Sequence, residues 1–426
     1  MSDFFLPPGF SRIDGVLHVE GLSLAEIAAT HGTPCYVYSK AAMVAAYEEF
    51  VTAFAGLDPL ICYAVKANGN LSILHLLSRL GAGFDIVSGG ELSRVLAAGG
   101  DPGRVVFSGV GKSAAEMQQA LQAGVLCFNV ESPAELQRLS EVATGLNLTA
   151  PVSLRVNPDV DPGTHPYIAT GLKESKFGIA YQDAFDLYRH AAQLPGIRLL
   201  GIDCHIGSQI TELSPFVAAL DKVLGLARRL AGAGITLHHL DLGGGVGIRY
   251  RAEDPLRLAD YAHAVAERMG GSGLRLLLEP GRRIVGNSGL LLTRIEYLKS
   301  SPARRFAIVD AAMNDLIRPA LYDAWHEIVP VQEGQGTPFP MDVVGPVCET
   351  GDILGSSRTL AVSAGDLLAI LSAGAYGASM GSNYNARPRP TEILVDGHSA
   401  RVIRRRETIP ALFENEWPLD PPSSTS

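Results

Sequence analysis

The chain has 426 residues, with 35 Lys plus Arg against 44 Asp plus Glu, and its net charge of −9 argues against bulk-charge binding to nucleic acid or an anionic membrane. Hydrophobic residues make up 47% and charged residues 19%, so a sizeable core is available and global disorder is excluded. Glycine is in surplus at 46 residues, about 11% against a usual value of about 7%, with no collagen-like period, so it must serve turns, close packing or backbone approach to a ligand.

In chain order, Met1–Pro8 carries no basic region and no apolar core of signal length, and no run of 18 apolar residues occurs, so no membrane span is expected. Leu17–Val19 reads as an isolated strand before a helix over Ser23–His31. From about residue 59 a rhythm sets in: a short apolar run, a loop, an amphipathic stretch, then another run. The runs are Leu60–Lys66, Phe84–Val87, Arg104–Phe107, Val125–Asn129, Pro151–Val156, Leu199–His205, Leu237–Leu242 and Leu274–Glu279. Between them, Leu71–Leu80 puts Ile73, Leu76, Leu77 and Leu80 on one helical face. Ser113 and Ser132 each precede a Glu by three residues in the capping-box pattern, and Pro133 suits a first helical position. Leu213–Ala233 and Pro255–Met269 are longer helical stretches. Strand–helix alternation implies a parallel sheet, and eight regular units favour a closed (β/α)8 barrel over an open doubly wound sheet.

After residue 280 the pattern changes to strands with short turns: Ser288–Lys299, Arg305–Asp310, Asp342–Val347, Leu367–Leu371, Arg389–Val395 and Ala400–Arg404. One helix over 319–328 interrupts them. The expected fold class is therefore α/β, a barrel over 36–280 followed by a mostly antiparallel β domain over 281–426 that residues 1–35 join. Pro421–Ser426 reads as a frayed end. The five scattered cysteines, with no CxxC and no Cys/His cluster of zinc spacing, indicate a reduced, cytoplasmic protein with no metal site.

Barrel active sites form at the C-terminal ends of the strands. Those ends supply Lys66 and Asn68, Asp85 and Ser88, Arg155 and Asn157, His205, Ser208 and Gln209, Asp241 with Gly243, Gly244 and Gly245, and Glu279 with Gly281 and Arg282. Lys66 follows an apolar run and would point into the mouth, where desolvation favours a neutral amine able to condense with an aldehyde; a surface lysine at a strand end is the open alternative. The glycine triplet and Gly281-Arg282 follow strands seven and eight, a frequent phosphate position of this barrel, although each alone also reads as a tight turn. The triplet is not a dinucleotide fingerprint, because position 248 is Ile. An aldehyde-binding lysine with a phosphate cradle suggests pyridoxal 5′-phosphate, with Glu279 keeping the pyridine nitrogen protonated. His205 would then stack on the ring, or else be a hydrogen-bonded strand-end histidine.

In the β domain, Pro319 suits a first helical position, which would set Arg318 at a helix N-terminus facing a carboxylate, with Tyr322 one turn on; an ordinary cap is the alternative. In Gly345-Pro-Val-Cys348-Glu349-Thr-Gly351-Asp352, Cys348 would deliver a proton and Glu349 bind an ammonium, or Cys348 is a small core hydrophobe. The arginines at 401, 404, 405 and 406 read as a solvated strand edge. The long segment Pro158–Gly178, with Gly163, Gly171 and Gly178, reads as a lid that excludes water.

Tyr63-Ala-Val-Lys66-Ala-Asn, His205-Ile-Gly-Ser-Gln209, Gly243-Gly-Gly245, Glu279-Pro-Gly-Arg282, Ile317-Arg-Pro-Ala-Leu-Tyr322, Cys348-Glu-Thr-Gly-Asp352 and Ala375-Tyr-Gly377 together resemble the diaminopimelate decarboxylase family. These are pyridoxal-phosphate enzymes of the alanine-racemase-like fold, and the resemblance runs over nearly the whole chain in the family's order. It implies decarboxylation of meso-2,6-diaminopimelate to L-lysine, the last step of lysine biosynthesis. It further implies that Lys66 carries the cofactor, that Glu279 faces the pyridine nitrogen and His205 the ring, that Gly243, Gly244, Gly245, Gly281, Arg282 and Tyr376 surround the phosphate and its neighbourhood, and that Ser208 also contacts the cofactor. Arg282, Arg318, Tyr322 and Tyr376 would meet the substrate, Cys348 would protonate the carbon that loses carbon dioxide, and Glu349 would bind the distal ammonium. A homodimer is implied, with Cys348 and Glu349 reaching the other subunit's site.

Three rivals are weaker. An ornithine or arginine decarboxylase of the same fold takes substrates ending in a cation, which Arg318 disfavours. A racemase needs a second acid/base on the opposite face, and none is evident. A non-catalytic pyridoxal-phosphate carrier resembles a lone barrel, without the β domain and Cys348-Glu349.

Overall fold

The computed structural model describes residues 5–161, 176–302, 304–334 and 336–419. The body of the segment read as a lid, 162–175, and the 421–426 tail lie outside the described residues. The chain divides into two compact units, one of Ala42–Asn287 with Gly374–Ser379, the other of Met1–Ala41, Ser288–Ala373 and Met380–Ser426.

The first unit is a closed parallel barrel. Its strands are β1 (Leu60–Ala64), β2 (Gly83–Ile86), β3 (Val105–Phe107), β4 (Cys127–Val130), β5 (Ala150–Asn157), β6 (Ile197–Asp203), β7 (His239–Asp241) and β8 (Arg275–Leu278). Each pairs in parallel with the next, and β8 pairs with β1. β1 through β5 are buried at every position, which is why they read as continuous apolar runs instead of alternating ones. Helix starts follow the expected chemistry. Ser113 and Glu116 form a complete capping box. Ser132 caps the Glu135 amide, but the Glu135 carboxylate turns instead to the Glu131 amide at 2.9 Å and to the buried Lys112 at 2.7 Å.

The second unit is a mostly antiparallel sheet built around Gly289–Ser300. That strand pairs antiparallel with Cys35–Ser39, Arg305–Val309 and Leu367–Ile370. Phe339–Val344 and Thr391–Asp396 extend the sheet in parallel. Its core packs Leu17, Val19 and Leu24 against Val37, Leu290, Leu292, Val329 and Ile393. No helix among the described residues is long and apolar enough to cross a membrane.

The observed units differ from the expected division in detail. Cys35–Ser39 is a buried strand of the second unit, so that unit runs to Ala41 instead of residue 35; a run buried on both faces does not announce which sheet it joins. The later boundary falls at 287/288 instead of 280/281, and Gly374–Ser379 returns to the barrel unit. The helix expected over 319–328 spans only Arg318–Tyr322. It stops where Asp323 takes a left-handed conformation with φ of 51°, and Ile328–Pro330 is a strand paired with Leu367–Ile370. Ile353–Leu360 is a further strand beyond those expected; Gly355-Ser356-Ser357-Arg358 breaks its apolar pattern and Ser357 has φ of 51°.

Inside the barrel, Ser153 Oγ lies 2.7 Å from His239 Nε2, and a Cβ on Gly201 would fall 2.1 Å from the same nitrogen. The ring is buried, and moving it would break its contact with Ser153. Gly201→Ala is therefore expected to destabilise the protein by about 1–3 kcal/mol, read as a lower denaturant midpoint; an unchanged midpoint contradicts this packing.

Candidate active site

β1 ends at Ala64, and Lys66 sits just beyond it in a tight turn, Val65–Ala67. The turn is clasped from within its own unit: Tyr63 OH donates to Asn68 O at 3.0 Å, Asn68 Nδ2 to Gly374 O at 3.2 Å, and the Tyr376 amide to Ala67 O at 2.8 Å. The last contact brings Tyr376, in a left-handed conformation with φ of 56°, over the Arg282 guanidinium at 4.8 Å. Arg282, only 8% exposed, also donates to Tyr250 OH at 2.7 Å and to Ser208 Oγ at 3.0 Å. A cation, two hydroxyl groups and the Tyr376 ring thus converge beside the loops after β6, β7 and β8.

Lys66 Nζ donates to Asp85 Oδ2, on the adjacent strand β2, with 37% of the lysine side chain still open to the mouth. Burial works to lower its pKa, but the Asp85, Glu279 and Tyr376 oxygens outweigh burial and push it up. The expectation of a neutral amine is therefore corrected: the fully buried Asp85 holds Lys66 as an ammonium.

The glycine triplet makes closer contacts than a turn needs. A Cβ on Gly244 would lie 2.3 Å from Glu279 O, and one on Gly245, with φ of 105°, would lie 2.5 Å from Gly207 O. Two of its amides are already committed: the Gly243 N–H donates to Asp241 Oδ1 at 2.8 Å, and the Gly244 N–H to His205 Nδ1 at 3.1 Å. Because His205 Nδ1 accepts, the ring proton resides on Nε2. Burial first, then the Arg155 and Lys66 cations, hold His205 well below the usual range, so it presents a neutral, oriented face.

Glu279 is buried, with Ser108 Oγ and Asn129 Nδ2 each 3.4 Å from its Oε1. One oxygen from each of Asp203, Asp241 and Glu279 lies within 4.8 Å of the others. Burial, then repulsion from neighbouring carboxylates, pushes Asp203 and Glu279 well above the carboxylate range, and burial, with the nearby Asp85 charge, lifts Asp241 to about 7. Arg155 offsets the acids, 3.1 Å from Glu131 and 3.9 Å from Asp203. Asp85, Arg155 and Asp241 had a signal in sequence, being charged residues at the ends of apolar runs; Asp203, Tyr250 and Asn129 had none that distinguished them.

The donor set fits pyridoxal 5′-phosphate. It offers an amine for the aldehyde, a neutral imidazole face, a buried carboxyl for the ring nitrogen, and an Arg282–Ser208–Tyr376 cluster for an anion. Glycine backbone packed too tightly for any Cβ lies beside these groups.

The other expected residues belong to the second unit. Arg318 is buried, and Tyr322 is half-buried four residues on. Their helix has five residues, too short for its dipole to add much, so recognition of a carboxylate there rests on the guanidinium itself. Cys348 is exposed, which removes the core-hydrophobe reading. Its loop is pinned by the buried Asp352, which accepts from the Met313 amide at 2.6 Å and the Val347 amide at 2.8 Å. Glu349 is exposed, 3.4 Å from Tyr384 OH.

Residues 40–286 match the profile of the pyridoxal-dependent decarboxylases, pyridoxal binding domain. The diaminopimelate decarboxylase of Pseudomonas aeruginosa is 58% identical over 407 residues, covering 96% of this chain and 98% of that protein. That of Neisseria meningitidis is 60% identical over 400 residues, covering 94% and 98%. The chain belongs to the diaminopimelate decarboxylase family. The crystal structure of diaminopimelate decarboxylase from Helicobacter pylori complexed with L-lysine superposes with a TM-score of 0.89 at 44% identity, covering 92% of this chain and 98% of that one. The profile spans Lys66, His205, Ser208, Glu279 and Arg282 but stops before Tyr376, whereas the diaminopimelate decarboxylase relatives align along both units.

The raised Asp241 carboxyl has a thermodynamic consequence. Its folded pKa lies above the ordinary value of 3.8, so the stability it contributes is present below about pH 4 and is lost as pH rises toward 7. Asp241→Asn, which cannot ionise, is expected to gain stability relative to the unsubstituted protein between about pH 4 and about pH 7. Thermal unfolding at both pH values checks this, and a relative loss contradicts it.

Proposed function

We propose that the chain decarboxylates meso-2,6-diaminopimelate to L-lysine and carbon dioxide with pyridoxal 5′-phosphate, the last step of lysine biosynthesis. The observation that carries the reading is Lys66 paired with Asp85 in a mouth that also holds Glu279, His205 and Arg282. When bound, pyridoxal phosphate supplies an aldehyde that fixes the substrate amine and a protonated ring that accepts the electrons left by departing carbon dioxide. Lys66 is the attachment amine, and Asp85 Oδ2 is the nearby acceptor for the proton it must lose. His205 would offer its face to the ring, and Glu279 would take the ring nitrogen. Ser208, Arg282, Tyr376 and the Gly243–Gly245 and Gly281 backbone would hold the phosphate.

Arg318 and Tyr322 of the second unit, and Arg282 and Tyr376 of the barrel unit, are assigned to the substrate, with Arg318 holding the carboxylate that stays in the product. The Cys348 thiol delivers a proton to the carbon that loses carbon dioxide, and Glu349 holds the distal ammonium. In this reading the enzyme is a cytoplasmic homodimer, with Cys348 and Glu349 of each chain serving the other chain's site. The exposure of both side chains supports that arrangement.

Carbon dioxide release from meso-diaminopimelate, ornithine and arginine, measured in parallel, tests the substrate. Diaminopimelate should be preferred by on the order of 10⁴ in kcat/KM, because a site built for a polar group rejects analogues that lack it. Faster turnover of ornithine overturns the assignment. Cys348→Ala should slow kcat by about 10²–10⁴-fold with little change in KM, and full turnover by that variant removes Cys348 from the proton-donor role.

A further inference from the structure

We propose that His326 is a positioning residue for substrate recognition: a neutral imidazole that fixes the Arg318 guanidinium and thereby sets affinity for the carboxylate retained in the product. The inference rests on the reading of Arg318 as the carboxylate-binding residue.

Arg318 Nη1 lies 2.9 Å from His326 Nε2. A guanidinium can only donate, so Nε2 is the acceptor and the ring proton resides on Nδ1. His326 Nδ1 lies 2.8 Å from Leu371 O, a group that can only accept, so the same tautomer satisfies both contacts. His326 is fully buried, and its own backbone carbonyl accepts from Arg358 Nη2 at 2.9 Å. Arg358 in turn lies over the Trp325 ring at 3.2 Å. The imidazole is therefore held at both nitrogens and through its backbone.

Its partner needs such a support. Arg318 begins a five-residue helix that ends at the left-handed Asp323, a frame too short to fix a long side chain by itself. A neutral acceptor orients the guanidinium without cancelling its charge, whereas a carboxylate in the same place would compete with the substrate. None of the sequence motifs pointed to position 326, because a lone histidine inside an expected helix carries no signal.

The test uses cofactor-loaded enzyme and meso-diaminopimelate. His326→Leu, which has no acceptor, should raise KM by about 10–100-fold with kcat within about twofold. His326→Gln, whose amide restores an acceptor, should recover KM to within about threefold of the unsubstituted enzyme. In an Arg318→Ala background, His326→Leu should produce no further change. An unchanged KM in His326→Leu, or an additive loss in the double variant, overturns the proposal while leaving the Arg318 reading intact. An unchanged KM in Arg318→Ala alone overturns the Arg318 reading, and the role of His326 falls with it. If His326→Leu does not fold, His326→Phe carries the same comparison. If neither folds, the role of His326 is structural and the proposal is wrong.

Discussion

The barrel mouth concentrates acid in a place with little water. Asp85, Asp203, Asp241 and Glu279 are each no more than 6% exposed, and the cations set among them are Lys66 and Arg155. Buried charge is costly unless it is paired, and three carboxyl oxygens within 4.8 Å of one another cannot all ionise. Much of the site follows from that constraint. Lys66 is kept charged by Asp85, Arg155 is drawn between Glu131 and Asp203, and at least one carboxyl keeps its proton. A site that retains a proton beside Glu279 suits a cofactor whose ring nitrogen must stay protonated.

The same mouth depends on close backbone approach. Gly243, Gly244 and Gly245 let the loop after β7 reach the carbonyls of Gly207 and Glu279, and they commit two amides to Asp241 and His205. The glycine triplet therefore has a structural task besides any contact with the cofactor. It fixes the His205 tautomer on one side and one oxygen of the carboxyl cluster on the other. In the second unit, Arg318 on His326 and the Cys348 loop on Asp352 follow the same pattern: a group proposed to act on the substrate is held by a buried neighbour.

Much of this was legible in the sequence, and for physical reasons. Parallel strands covered on both faces leave continuous apolar runs, so the eight barrel strands stood out, and charged residues at their ends marked Lys66, Asp85, Asp241 and Glu279. What sequence patterns did not supply was pairing across distance. Cys35–Ser39 has the same apolar character as a barrel strand, and its pairing with Gly289–Leu292 on one side and Thr391–Val395 on the other assigns it to the other sheet. Desolvation alone suggested a neutral Lys66, because the deciding carboxylate lies 19 positions away on the adjacent strand. Tyr250 meets Arg282 across 32 positions, and Tyr376 reaches the barrel from a segment after most of the second unit. Asp323 ended the helix that a Pro319 start had suggested would continue, since a left-handed residue leaves little trace in composition.

Every proposed role in the barrel mouth depends on Lys66 being the residue that carries pyridoxal phosphate. Borohydride reduction of the loaded enzyme, followed by proteolysis and mass spectrometry, reads this directly. The phosphopyridoxyl mass is predicted on the peptide that contains Lys66. Its appearance instead on Lys112, whose ammonium is already bound by Gly109 O, Asn129 O and Glu135, or on any other lysine, would contradict the account.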